Sequence, residues 1–178
     1  MDSFRNLLDG DRREELLDFA ERYERGAPYD DISEEEAVSR YREVVPELSH
    51  EDYRYSAREA FSRMEPEERA EFGKQLRDQS LQQGYDFPDL PDTNDGEDRF
   101  QDPGYLAQVT ARMRREQSDL LEGLIGDGGA GLVGGMMGEG MTGGEGASGD
   151  GGMLGNPVAK AALAGIAAIG VKRIVESN

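Results

Sequence analysis

The chain has no cysteine among its 178 residues, which excludes disulfides, thiolate nucleophiles and Cys-ligated zinc or iron–sulfur centres. Tryptophan is absent as well, and His50 is the only histidine. A lone imidazole needs a nucleophile and an orienting group before it can act as a base, and no serine here sits in a strand–turn–helix context. His50 follows Ser49 at the start of a helical pattern, so a solvated histidine beside a helix cap is the expectation. No catalytic residue, cofactor or metal site is assigned, and the chain is expected not to be an enzyme. The first residues, MDSFRNLLDGDRREELL, lack a basic region followed by an apolar one and do not read as a secretory signal. A cytoplasmic location is the natural expectation.

Positive charge is also scarce. Twenty Lys and Arg stand against 38 Asp and Glu, for a net charge of −18. Divided along the chain, this is −11 for residues 1–86, −5 for 87–126 and −2 for 127–178. Such a field repels phosphate backbones and argues against nucleic acid as a partner. A long hydrophobic run is missing too. Between Lys160 and Lys172 lie eleven uncharged residues, about 16 Å of helix at 1.5 Å per residue. A bilayer core needs about twenty apolar residues, so a transmembrane span is not expected.

What is present is helical periodicity. Residues 11–24 place Leu16, Phe19, Ala20 and Tyr23 on one face, with Asp11 at the start and Gly26 after the end. Residues 33–45 open with Ser33 and Glu36, the spacing of a capping box, and Pro46 stops them. Residues 49–64 carry Tyr53, Ala57, Ala60, Phe61 and Met64 at helical spacing, and residues 66–82 open with Pro66 and turn Phe72 and Leu76 inward. Short connections imply that consecutive helices lie against one another. A weak echo of period sixteen aligns Ser33 with Ser49, Arg42 with Arg58 and Lys74, and Val44 with Ala60 and Leu76. Either duplication or helices independently obeying the same end rules would produce it.

The expected fold is all-α, in five parts. Residues 1–84 form a small helical bundle; 85–104 form an acidic linker with seven acids and three prolines. Residues 105–125 make an amphipathic helix with Leu106, Val109, Met113, Leu120 and Leu124 on one side, which needs a partner surface. Residues 126–155 are half glycine, fifteen of thirty, and read as a flexible tether. Residues 156–178 make a short apolar helix.

Several patterns imitate chemistry. GAGLVG at 129–134 and GEGMTG at 138–143 satisfy G-x-G-x-x-G, but a helix precedes them and more glycine follows, the wrong setting for a dinucleotide. DTNDGED at 92–98 resembles a calcium loop, yet Pro91 and Thr93 fall where two ligands belong. GGEGAS at 143–148 lacks the aspartate of a calcium β-roll. Met136, Met137, Met141 and Met153 lack His or Cys support for copper. Tyr85, Phe87 and Leu90 read as packing residues before they read as a docking motif.

The last helix carries the functional expectation. Val158, Leu163, Ile166, Ile169, Val171 and Ile174 spread almost all round it, and an all-round apolar helix is normally buried. It must dock on the chain's own core, a second copy, a partner or a membrane interface. The expected function is a non-enzymatic adaptor or self-assembly protein, docking this tethered helix on a protein partner or on itself. Leu163, Ile166 and Ile169 are the expected contact residues, with Ala161 and Gly165 permitting close approach. The alternative is peripheral membrane attachment, with Lys160, Lys172 and Arg173 meeting anionic head groups.

Overall fold

Ser33, Ser49 and Glu65 each precede a helix, and the helices they open begin at residues 34, 50 and 66. The structure is a computed structural model that describes residues 10–26, 31–82, 84, 94–116 and 157–177; among these every regular element is helical. In chain order they are α1 (Gly10–Glu24), α2 (Glu34–Val44), α3 (His50–Ser62), α4 (Pro66–Gln82), α5 (Pro103–Glu116) and α6 (Pro157–Glu176). Short 3-10 turns occupy Val45–Glu47 and Asn94–Gln101.

The caps are local and explicit. Ser33 Oγ accepts from the Glu36 N–H and Ser49 Oγ from the Asp52 N–H, both at 3.1 Å. At α4 the return half of the box operates instead, the Glu65 N–H donating to Glu68 at 2.9 Å. Gly26 ends α1 and Gly84 follows α4, each in the left-handed region that a side chain disfavours (φ 93° and 75°). The sixteen-residue echo therefore equals the distance between helix starts. Val44, Ala60 and Leu76 fall at the same distance from their caps, and all three are buried.

Packing departs from the expectation that consecutive helices lie face to face. α1 and α2 run antiparallel and are joined by ion pairs, Arg12–Glu43 at 2.6 Å and Arg40–Glu15 at 3.4 Å. Arg22 grips Glu36 as well, so this carboxylate pairs across helices and leaves its own capping box half made. Yet α1 and α2 each make their most extensive backbone contact with α6, and α3 packs on both α6 and α5. The last helix is thus inserted among the first ones, holding apart backbones that the short loops would have let touch. One buried cluster takes in Leu16 to Leu76, Leu106 to Met113 and Val158 to Ile174, so the two C-terminal helices belong to the core of the front end.

Only the second half of the acidic linker falls among the described residues. There residues 94–101 are wound into 3-10 turns, and Phe100 is fully buried against α4. Gly73 makes the room: a Cβ there would overlap the Phe100 ring. Asp102 then caps α5, its Oδ1 accepting from the N–H groups of Gly104 at 2.7 Å and Tyr105 at 3.1 Å. α5 finds its partner surface on α3, within the chain. Residues 117–125 of the expected fifth helix and the whole glycine tract lie outside the described residues.

Candidate functional site: the seat of the C-terminal helix

Ala and Gly occupy eight of the twenty positions of α6, which keeps the helix thin, while its Ile, Leu and Val residues point in every direction. A thin helix, apolar all round, can be surrounded at close range. Fourteen of the twenty residues are buried, and the surrounding elements are α1, α2, α3, the 3-10 turn after α2, and α4.

Two glycines set the register. A Cβ on Gly165 would stand 2.7 Å from the Ala60 Cβ and would also strike the Tyr23 ring, so α6 meets α3 and α1 there at backbone distance. A Cβ on Gly170 would stand 2.9 Å from Leu48 Cδ1 and 3.0 Å from Val44 Cγ1, at the corner where α2 turns toward α3. Eight residues beyond Gly165, Arg173 meets Asp52, eight residues before Ala60. α6 and α3 therefore run antiparallel in matched register over that span.

The C-terminal turn of α6 is clamped by charge. Lys172 pairs with Glu24 at the end of α1. The Arg173 guanidinium reaches Asp52 Oδ1 at 2.8 Å and lies over the Tyr55 ring, 4.7 Å from its centroid. Asp52 also accepts from the Ser49 hydroxyl at 2.6 Å. The Ser49 hydrogen bond and then Arg173 hold its carboxyl below the usual aspartate range. The clamp joins the negative end of the α6 dipole to the positive end of the α3 dipole, with bases on the first and an acid on the second. Beneath α3, the hydroxyls of Tyr41 and Tyr53 share a buried hydrogen bond of 2.9 Å. Burial raises the pKa of both, so they remain neutral phenols. Arg114 of α5 covers the Tyr53 ring at 5.0 Å and donates to the Leu48 carbonyl at 3.0 Å, tying α5 to the same corner.

The residues expected to make contact are thus brought together, inside the chain. Leu163, Ile166 and Ile169 are buried in the common cluster, Gly165 meets α3 at backbone distance, and Ala161 is buried too. Gly170 and the clamp were missed. Their signal was available: a second glycine five residues after Gly165 faces a different side, and paired bases in a last helical turn seek carboxylates.

Elsewhere the chemistry is sparse. His50 stands exposed in the first turn of α3, next to its cap. Among the described residues no group of three acids or histidines is placed to hold a metal ion. Asp102, four residues beyond the calcium-like stretch, is engaged as the α5 cap. A cleft of about 500 Å³ beside Gly10, Asp11, Arg12 and Glu15 is wide open to solvent. No described helix is long and apolar enough to cross a membrane. The two G-x-G-x-x-G stretches, GGEGAS, the four methionines of the tract, and Tyr85, Phe87 and Leu90 lie outside the described residues.

No family model, curated protein or solved structure matches the chain. Function has to be argued from the seat itself.

Proposed function

We propose that the chain is a non-enzymatic helical module whose C-terminal helix is its docking element, working as an adaptor or in self-assembly. One observation carries this reading: a helix separated from α5 by forty residues of sequence, sixteen of them glycine, is the most enclosed of the described helices. A helix that belonged permanently to one core would need only a short connection. A long connection instead makes docking a binding event, with an effective concentration on the order of millimolar when the span permits. The seat supplies what such binding requires, namely two close-approach points, a continuous apolar wall and a charged clamp that fixes direction. The acid pairs at helix starts are explained by caps and helix dipoles, so no catalytic role is asked of them.

Peptide add-back tests this. A chain ending at Gly126 lacks the central helix and should lose its cooperative thermal transition, read by circular dichroism together with its light-scattering mass. A synthetic peptide of residues 156–178 should restore the transition at one peptide per chain, and the same peptide with Ile166→Asp should not. No response to the unmodified peptide would overturn the reading.

A further inference from the structure

The open cleft at the start of α1, the buried tyrosine pair and the exposed Tyr55 and Leu81 form no built site. Among the described residues, the seat has a shape, a charge pattern and a segment of known sequence that fits it. Resting on the docking reading above, we infer that the seat accepts residues 157–176 of a second copy, so that two chains exchange their C-terminal helices reciprocally.

Three observations carry this. First, the surroundings of α6 come from α1 to α4, all before residue 83, whereas α5, the described helix nearest before it in sequence, is not among its close neighbours. Nothing in the seat distinguishes a helix of the same chain from that of another. Second, forty residues separate Glu116 from Pro157, and fully extended they reach as far as about 140 Å. That exceeds several times the roughly 30 Å length of a twenty-residue helix. Third, the clamp is complementary and directional: Glu24 and Asp52 on the seat, Lys172 and Arg173 on the helix. The occupant is thereby a helix ending in paired bases, which this chain itself provides. Contacts within one chain and between two are the same, so the balance is set by concentration. Exchange becomes comparable with self-docking when chains approach the effective concentration of the tethered helix, on the order of millimolar. Anything that gathers the front ends together shifts the balance toward linked copies.

Complementary charge reversal tests it with full-length chains. One variant carries Glu24→Arg and Asp52→Arg, inverting the seat; the other carries Lys172→Glu and Arg173→Glu, inverting the helix. Each alone opposes like charges within one chain. Mixed, both clamps are satisfied only by reciprocal exchange. Four restored pairs favour the mixed dimer by on the order of a hundredfold over either homodimer. At about 0.1 mM chain, native mass spectrometry and light scattering should find a 1:1 species of twice the 19.6 kDa chain mass. Should a variant fail to fold alone, recovery of its helical signal on mixing is the same result. A mixture that stays at single-chain mass, or gains no structure, overturns the exchange. If the add-back peptide binds while the mixture stays monomeric, docking stands and exchange fails; if neither responds, both fall.

Discussion

The α1–α2 pair and the α3–α6 pair are both antiparallel, yet they are held by opposite means. Between α1 and α2 the closest links are ion pairs such as Arg12–Glu43 and Arg40–Glu15, whose arginine and glutamate side chains are in part exposed. Pairs of this kind contribute little, because water solvates both partners well when they separate. Between α3 and α6 the link is backbone approach at Gly165 beside Ala60, walled by Phe61, Ile166 and Ile169, which are almost wholly buried. Each large side chain there contributes about 1.5–3 kcal/mol through burial. A chain with a net charge of −18 thus rests on its least charged element, and its abundant charge serves orientation and solubility more than cohesion.

The strongest way to break that contrast is Ile166→Asp. Ile166 is 2 % exposed at the centre of the enclosed helix. Losing the burial and introducing an unpaired charge should cost more than about 4 kcal/mol. For a small bundle this approaches the whole stability, so the expected outcome is loss of the cooperative melt, not merely loss of association. A folded, stable Ile166→Asp chain would show that α6 is not the centre of the core.

How much of this arrangement could be read beforehand differs by element. The helix starts were legible because a cap is a contact between residues three apart: Ser33 with Glu36, and Ser49 with Asp52. The inward faces of α1 to α5 were legible because period 3.6 marks one side as apolar. α6 announced that it would be buried but not where, since an all-round apolar helix has no face to orient. Its place became visible only through partners far away in the chain, Ala60 for Gly165 and Asp52 for Arg173. Phe100 was hidden differently. Seven acids and three prolines make residues 85–104 look unstructured, and the feature that seats Phe100 is a missing side chain, Gly73, on another helix.

A sharper comparison comes from Gly165→Val. The glycine's lack of a Cβ is what brings α6 against Ala60 and Tyr23, so adding three carbons forces the helices apart. Overpacking of this kind costs about 1–3 kcal/mol, less than a buried charge and more than any single exposed ion pair in α1–α2. Urea denaturation should show the midpoint falling with little change in slope. A substitution that leaves the midpoint unchanged would mean that α6 does not approach α3 at backbone distance.

The smallest expected effect lies in the clamp and is read by pH. Asp52 has its pKa lowered by Ser49 and then by Arg173, so it binds its proton more weakly in the folded chain than in the unfolded one. Its contribution is therefore complete above the unfolded aspartate value of about 3.9 and is lost as pH falls through the lower folded value. Glu116 at the end of α5 is also lowered, by Arg112 and then Arg115, but it has no part in the clamp. In acid titrations of the melting temperature, Asp52→Asn should flatten the fall below pH 4. In peptide add-back with chains ending at Gly126, Asp52→Asn should also weaken the response to the peptide, whereas Glu116→Gln should leave it intact. Equal effects of the two changes on peptide response would mean that Arg173 and Asp52 hold no special grip on the helix, and that the apolar wall alone seats it.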